Sequence, residues 1–269
     1  MTQLKIPNLA MGQYEADGFL ICQDPIVPTE IVQNASQGMD TLRSGQYETG
    51  IAPEPSYWEP GDDADKFCKI EMPQIANYAI MDLITYPSIG EAVAQITGAK
   101  MVQVWWVQLL GKPPATNRGQ TNVDWHQDQY YWRIWEEASQ LLTVWVAISN
   151  VTEQDGPMRL VKGSHRWVLL EQNDFYGQDH DRQMAETKLP ENEIWEEEIA
   201  LLPAGGASFH HCLAYHASGP NRSSTMRRSL AIHARTEKSR PVNDQRTGLS
   251  RFIDNHDYCP IIYQSGLLV

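Results

Sequence analysis

The pattern of apolar and polar residues divides the chain into a helix-rich first part and a strand-rich second part. Over roughly the first hundred residues, proline repeatedly precedes segments of helical character, and its fixed backbone angle suits the first turn of a helix. We therefore predict helices from Pro28 to Leu42, from Pro73 to Ile84 and from Pro87 to Thr97. After Gly98 the pattern changes to short runs of β-branched and aromatic residues separated by turn residues, which indicates strands.

The strand-rich part contains several short segments, as in a β-sandwich or barrel that is buttressed by helices. Strands are predicted at residues 101–110, 141–151, 157–161, 198–203, 207–218 and 228–235. No repeat, low-complexity segment or glycine- and serine-rich linker interrupts the chain, so we expect one domain over residues 1–269. Its expected parts are a helix-rich segment of about 1–98, a strand-rich core of about 99–236 and a C-terminal extension, 237–269.

Charge and composition narrow the classes of partner. The chain has 269 residues and a formal net charge of −13, which disfavours nucleic acid and anionic membranes as partners because both repel an acidic protein. The first residues lack the basic start and apolar run of a signal peptide, and no apolar stretch approaches the ~20 residues of a membrane span. The four cysteines are scattered, so free thiols are expected. We expect a soluble, cytoplasmic protein with a small-molecule partner; its oligomeric state is not predicted.

The segment DWHQDQYYW, residues 124–132, places a histidine and an aspartate two positions apart among aromatic residues. In a strand, His126 and Asp128 would share a face. A further ligand is available in the segment 207–218, which offers His210, His211 and His216. Two histidines and one carboxylate form the facial triad that holds Fe(II) and leaves coordination positions open. A structural zinc site would close its coordination, usually with sulfur, and no cysteine pair lies nearby.

The spacing between a histidine and an arginine adds a second indication. His216 precedes Arg227, at the start of the next strand, by a short turn-rich loop. An iron centre that activates O₂ needs electrons, which a 2-oxo acid supplies, and the remote carboxylate of such a cosubstrate needs a fixed cation. Arginine suits this role because its planar fork donates two hydrogen bonds to a carboxylate. The alternative interpretations are a polar network in place of the metal site and a surface salt bridge for Arg227, or Arg228 as the clamp if the register shifts.

Three motifs of the chain resemble the phytanoyl-CoA dioxygenase family of Fe(II)/2-oxoglutarate-dependent oxygenases. They are W-H-x-D at 125–128, D-G-P-M-x-x-x-x-G-S-H at 155–165 and H-x-S-G-x-N-x-S-x-x-x-R at 216–227, and they occur in the order found in the family. The resemblance extends from about Tyr14 to His233. It implies a mainly β fold with flanking α-helices: a double-stranded β-helix, or jelly roll, in which two sheets face each other and helices pack outside one of them.

The same resemblance implies roles for individual residues. It makes His126, Asp128 and His216 the iron ligands and Arg227 the partner of the 2-oxoglutarate C5 carboxylate. It implies further cosubstrate contacts for Ser218, Trp145, Gln108 and Lys112. The candidate substrate-pocket residues are Tyr130, Tyr131, Trp132 and His233.

The expected function is that of an oxidoreductase, a non-haem iron dioxygenase using Fe(II), 2-oxoglutarate and O₂. Its most direct reaction would hydroxylate an unactivated C–H bond of a small-molecule metabolite, in natural-product biosynthesis, with release of succinate and CO₂. Desaturation, epoxidation or ring formation would need the same machinery with a differently placed substrate. Two alternatives from other classes are a cupin-like metal-dependent isomerase or hydrolase, which would have no use for Arg227 in its cavity, and a non-catalytic binding module.

Overall fold

Two antiparallel β-sheets form the centre of the computed structural model, which describes residues 8–115, 121–170, 175, 177 and 179–266. The strands are β1 Phe19–Cys22, β2 Cys68–Glu71, β3 Met101–Lys112, β4 Val123–His126, β5 Leu141–Ala147, β6 Met158–Val161, β7 Glu197–Ala200, β8 Ala207–His211, β9 His216–Ser218, β10 Arg227–Thr236 and β11 Ile261–Gln264. The α-helices of the described residues are α1 Asn8–Asp17, α2 Thr29–Arg43, α3 Tyr78–Ile84, α4 Pro87–Thr97 and α5 His180–Glu186.

The two sheets face each other across a shared apolar layer. The larger sheet has the order β1-β8-β5-β10-β3, and both β2 and β11 pair with the outer edge of β3. The smaller sheet has the order β4-β9-β6-β7. Leu110 and Trp145 of the larger sheet belong to one buried cluster with Met158 and Leu160 of the smaller sheet. The predicted fold, a jelly roll with flanking helices, is confirmed.

The strand register brings several polar side chains to the face of the larger sheet that looks toward the smaller one. Thr143 of β5 is paired with His210 of β8 on one side and with His233 of β10 on the other. Two positions further along, the next row of the sheet holds Trp145 and Gln108. Directly paired residues of antiparallel strands have their side chains on the same face. The backbone pairing therefore gathers these side chains beneath the smaller sheet.

The opposite face of the larger sheet is apolar and packs against helices. Leu230 and Ile232 of β10 lie in the same buried cluster as Met39 of α2, Leu83 of α3 and Val93 of α4. Strand β5 is buried along its whole length because one face meets the helices and the other meets the smaller sheet. This is why it reads as an unbroken apolar run rather than an alternating one. Because the helices cover only one face of the larger sheet, the other face can form a site together with the smaller sheet.

Residues 73–84 do not form the single helix that the pattern predicts, whereas the helices predicted at 28–42 and 87–97 are confirmed as α2 and α4. A short 3₁₀ helix, Pro73–Ile75, is followed by Asn77 in an extended conformation. The Asn77 side chain accepts a hydrogen bond from the Ile80 backbone N–H at 3.1 Å. Asparagine is a preferred N-cap residue, so it begins a new helix, α3, and divides the segment.

The helix-rich first part also contains two strands that the pattern does not predict. Strands β1 and β2 have four residues each, too few to show a clear alternation, and they are held by pairing with β8 and β3. Strand β11, in the C-terminal extension, likewise pairs with β3. The larger sheet therefore includes strands from the helix-rich segment, the core and the extension.

Two further expectations concern the chain as a whole. Among the described residues, no helix combines the length and the apolar character needed to cross a bilayer. The four cysteines all lie in the described part of the chain and are unpaired, as expected; Cys22 is only partly buried, while the other three are buried.

Gly90 lets helix α4 approach strand β11 closely, and this gives a test of the fold. A Cβ atom at this position would lie 2.1 Å from the backbone carbonyl oxygen of Ile262. The backbone of β11 is held by its pairing with β3 and has little room to move. We expect Gly90→Ala to lower the free energy of unfolding by about 1–3 kcal/mol, the usual cost of overpacking, measured by urea denaturation.

Gly12, in α1, provides the matched control for that substitution. A Cβ atom there would meet nothing within 4 Å. Because alanine is the better helix former by about 1 kcal/mol, Gly12→Ala should leave the free energy of unfolding unchanged or raise it. If Gly90→Ala also raised it, the close approach of α4 to β11 would be wrong.

Candidate metal centre and cavity

Two histidines of the smaller sheet are placed side by side by strand pairing. His126, the last residue of β4, is directly paired with His216, the first residue of β9. Their ring centroids are 4.2 Å apart, and both side chains are buried. The register of one antiparallel strand pair therefore brings together two histidines that are distant along the chain.

The third member of the cluster, Asp128, is not in a strand, so the predicted reason for its orientation is wrong. It is the first residue of a 3₁₀ helix, Asp128–Tyr130, after Gln127 in an extended conformation. Its Oδ1 atom nevertheless lies 3.8 Å from Nε2 of His126 and 4.0 Å from Nε2 of His216. One potential ligand atom from each of the three side chains lies within 4.8 Å of the others. The turn after β4 thus places Asp128 beside His126, as the alternation of side chains along a strand was expected to do.

Backbone carbonyl groups orient both imidazoles. Nδ1 of His126 lies 2.7 Å from the Asp124 carbonyl oxygen, and Nδ1 of His216 lies 2.9 Å from that of Ala214. Each Nδ1 therefore carries the proton and donates it to a carbonyl, which leaves the Nε2 lone pair directed toward Asp128. Burial lowers the pKa of both imidazoles, for His216 to well below its usual range. Both rings are consequently neutral at neutral pH, the form that binds a metal ion.

The carboxylate of Asp128 is held in its ionised form. Burial would raise its pKa, but the neighbouring imidazoles of His210 and His216 outweigh burial and lower the pKa. Thr143 Oγ1 donates a hydrogen bond to Oδ2 of Asp128 at 2.8 Å. Since the single hydroxyl proton is used there, Thr143 accepts its other hydrogen bond, at 2.9 Å, from Nδ1 of His233. The carboxylate is thus supported from the row of polar residues on the larger sheet.

This set of donors fits one class of metal ion. Two neutral imidazole nitrogens and one carboxylate oxygen, without sulfur, are the facial triad of non-haem Fe(II) sites. The three candidate ligand residues line a cavity of about 50 Å³ between the sheets, so part of the coordination sphere of a bound metal would remain accessible. The described residues therefore fit Fe(II) better than a structural zinc ion, which would be closed on all sides.

Arg227 lies at the same cavity and is buried, with 2% of its surface exposed. Its Nη1 donates to the Gly156 carbonyl oxygen, and its guanidinium lies 5.2 Å from the ring centre of Trp145. Burial lowers its pKa to about 10, so it remains charged at neutral pH. Its Nε has no hydrogen-bond partner among the described residues. A buried cation with an unused donor is suited to bind an anion in the cavity.

Three of the four other predicted cosubstrate residues lie at the cavity, and the fourth does not. Trp145, Gln108 and Ser218 line the cavity. Lys112 is fully buried and its Nζ is occupied, because it donates to Ser218 Oγ at 2.6 Å and to the carbonyl oxygens of Ser218 and Gly219. It is not among the described residues that line the cavity. The structure therefore places Lys112 as a support for β9 behind the cavity.

The predicted substrate-pocket residues are mostly outside the cavity. Of the four, the cavity lining found in the described residues includes His233 and not Tyr130, Tyr131 or Trp132. Trp132 is 4% exposed and packs edge-on against His233 and Trp105, with ring centroids 4.7 and 4.9 Å apart. The aromatic run is thus partly core, since the 3₁₀ helix after Asp128 turns it away from the strand direction that the sequence suggests.

His210 and Thr143 are residues at this site to which the sequence assigned no role. The sequence offers His210 only as one of three histidines in the segment 207–218, but its pairing with Thr143 places it in the cavity lining. Its ring centroid is 4.5 Å from that of His216. Its face could be inferred only from the register with β5, and no sequence signal reports that register.

Comparison with known proteins gives the class to which this arrangement belongs. The family model described as phytanoyl-CoA dioxygenase (PhyH) matches residues 14–229. The chain therefore belongs to the phytanoyl-CoA dioxygenase family, and the resemblance seen in its motifs is confirmed.

Individual relatives are distant. The chain is 24% identical over 174 residues to a probable alpha-ketoglutarate-dependent hypophosphite dioxygenase of Stutzerimonas stutzeri, an alignment that covers 64% of this chain and 58% of that protein. It is 27% identical over 158 residues to the ectoine dioxygenase of Bordetella parapertussis, covering 58% of this chain and 48% of that protein. The aligned part thus spans about half the length of these relatives.

A solved structure supports the fold. The non-haem alpha-ketoglutarate-dependent carbocyclase SnoK from nogalamycin biosynthesis superposes with a TM-score of 0.66 at 20% identity. The match covers 88% of this chain and 87% of SnoK. At this identity the likeness establishes the shared jelly roll.

The buried Lys112 predicts a measurable dependence of stability on pH. Burial and the positive charge of Arg227 lower its pKa well below the usual 10.5. Between the lowered pKa and 10.5 the unfolded chain binds more protons at this residue than the folded chain, so stability rises with pH across that window. We expect the free energy of unfolding of the natural protein to increase relative to that of Lys112→Met as the pH is raised toward 10.5. Urea denaturation at several pH values measures both; parallel curves would contradict the lowered pKa.

Proposed function

We propose that the protein is an Fe(II)/2-oxoglutarate-dependent dioxygenase that acts on a small molecule. The observation that carries this proposal is the position of Arg227, a buried cation with an unused donor, at the same cavity as the cluster of His126, Asp128 and His216. A metal-dependent isomerase or hydrolase would need the cluster but not the arginine. The 2-oxo acid dependence of the named relatives agrees with this reading.

Each residue has a defined task in the proposed reaction. His126, Asp128 and His216 would hold Fe(II), which when bound with 2-oxoglutarate supplies the oxidising chemistry. Arg227 would bind the remote carboxylate of 2-oxoglutarate, and Trp145 would hold the guanidinium from one side through its ring face. Ser218, whose Oγ is fixed by Lys112, would contact the same carboxylate, and Gln108 would contribute a polar contact at the cavity wall.

The expected outcome is hydroxylation of an unactivated C–H bond. In the overall reaction, R–H, 2-oxoglutarate and O₂ give R–OH, succinate and CO₂: one oxygen atom enters the substrate and the other enters succinate. The apolar part of the cavity lining, which includes Phe67, Val123 and Met158, suits a partly apolar substrate. Because SnoK comes from nogalamycin biosynthesis, we propose a metabolite of natural-product biosynthesis as the substrate class.

The proposal is tested first without a substrate. Under anaerobic conditions, addition of Fe(II) and then 2-oxoglutarate to the metal-free protein should produce the weak visible absorption of a 2-oxo acid bound to Fe(II). Asp128→Ala should abolish this absorption, since it removes one of three ligands. If purified, metal-loaded natural protein showed no such band, the dioxygenase proposal would fail. With a band established, O₂ consumption across a metabolite panel identifies the substrate.

Arg227→Ala tests the role of the buried cation. Loss of a bidentate charged contact in a buried site should weaken 2-oxoglutarate binding by about 100-fold or more, while Fe(II) binding changes little. Titration of the visible band with 2-oxoglutarate gives the first quantity, and calorimetry with Fe(II) alone gives the second.

Arg228→Ala is the matched control. It removes the same side chain from the next position of β10, which faces the other way and binds Asp40 at 2.8 Å. Its 2-oxoglutarate affinity should equal that of the natural protein. Equal loss in both variants, or in neither, would contradict the assignment of Arg227.

A further inference from the structure

The imidazole of His210 lies on the larger sheet, beneath the cluster of His126, Asp128 and His216. It belongs to the row of the larger sheet formed with Thr143 and His233, and it is 1% exposed. Its Nε2 lies 3.4 Å from Oδ2 of Asp128. Neither ring nitrogen has a hydrogen-bond partner in the part of the chain that the structure describes. An unpartnered buried polar group is rare in a native protein and calls for a physical reason.

The two carboxylate oxygens of Asp128 have different neighbours. Oδ1 is the atom that lies near Nε2 of both His126 and His216. Oδ2 points to the larger sheet, where Thr143 donates to it and where Nε2 of His210 is its second neighbour. At 3.4 Å the contact is longer than a usual N–H···O bond, and it does not have the geometry of a hydrogen bond as it stands. Such contacts often shorten when a site is filled.

We propose that His210 is a positioning residue that donates its Nε2 proton to Oδ2 of Asp128 and so restricts this carboxylate to a single ligand atom, Oδ1. The proposal rests on the metal site of the proposed function. With Thr143 and His210 both donating to Oδ2, rotation of the carboxylate to present both oxygens to the metal would leave two buried donors unpaired. That cost keeps the carboxylate in one orientation.

The restriction matters because of the number of open coordination positions. Two imidazoles and one carboxylate oxygen occupy three positions of an octahedron and leave three. A 2-oxo acid needs two of these and O₂ needs one. A carboxylate bound through both oxygens would take a fourth position, and the site would then be unable to hold both molecules together.

The other role available to His210 is that of a fourth metal ligand, and the geometry disfavours it. Among the described residues, the group of potential ligand atoms that lie within 4.8 Å of one another contains His126, Asp128 and His216 but not His210. Its Nε2 lies beside Oδ2 of Asp128, whereas Oδ1 is the oxygen near both His126 and His216. A donor role uses this position, whereas a ligand role would require the ring to move.

Substitution of His210 gives the first test. His210→Phe keeps a ring but removes the donor, and His210→Gln keeps a donor. We expect His210→Phe to weaken Co(II) binding, measured by calorimetry, by about 10-fold or more, as loss of a hydrogen bond to a ligand does. It should also weaken 2-oxoglutarate binding to the anaerobic Fe(II) protein and shift the visible band. His210→Gln should restore both properties to within about threefold, which a purely structural role of the ring would not explain.

His211→Phe is the matched control, because it removes an imidazole from the adjacent position of β8, on the other face. Nδ1 of His211 accepts a hydrogen bond from the Leu213 backbone N–H, away from the cavity. This variant should bind Co(II) and 2-oxoglutarate like the natural protein. If His210→Phe did so too, with an unshifted band, the proposal would be overturned while the metal site itself stood. If the natural protein bound neither Co(II) nor 2-oxoglutarate, the proposed function would fail instead.

A second measurement needs no variant and therefore does not depend on whether His210→Phe folds. In a crystal structure of the natural protein loaded with Ni(II) and 2-oxoglutarate, Asp128 should bind the metal through Oδ1 alone. Nε2 of His210 should lie within about 3.2 Å of Oδ2, the upper range of an N–H···O bond. Binding of the metal through both oxygens of Asp128, or through His210 itself, would overturn the proposal.

Discussion

The direct pairing of His126 with His216 is the contact on which the candidate site depends. This contact is set by the backbone, because the register of β4 against β9 makes the two imidazoles neighbours. A slip of one residue would send one of them to the other face of the smaller sheet. Both Nδ1 atoms are then held by carbonyl groups two residues earlier in the chain, so local backbone geometry also sets which nitrogen faces the cavity.

The larger sheet provides the second half of the site. Its inward rows supply Thr143, His233 and His210 near Asp128 and, farther along, Arg227 with Trp145. Helices α2, α3 and α4 pack on the other face of this sheet, and none of their described residues lines the cavity. The two sheets thus contribute different parts: the candidate metal ligands and the carbonyl groups that orient the imidazoles come from the smaller sheet and its adjoining turns, and the groups beside the Asp128 carboxylate come from the larger sheet.

Sequence reasoning could predict the features that are encoded locally. The motifs around His126, His216 and Arg227 have short internal spacing, and the resemblance to a family supplied their order and the fold. It could not predict features that depend on register between distant strands, such as the inward position of His210, or the engagement of Lys112 behind β9. It also placed Trp132 at the substrate pocket, whereas the ring packs against His233 and Trp105 and is not among the described residues that line the cavity. The break at Asn77 was missed because a polar N-cap within an apolar segment carries little weight in a helical pattern.

Strands β2 and β11 together cover the outer edge of β3, and this affects how the protein behaves in concentrated solution. This strand is long and rich in β-branched and aromatic residues, and an open edge of that kind would recruit strands from other molecules. Strand β2 pairs with its residues 108–111, and β11 pairs with residues 101–103. Between them, the Val104 N–H donates to Pro260 and the Val107 carbonyl accepts from Met72. Loss of β11 would therefore expose unpaired backbone groups on the edge of β3. We anticipate that a chain lacking β11 would aggregate through this edge before the rest of the fold is lost.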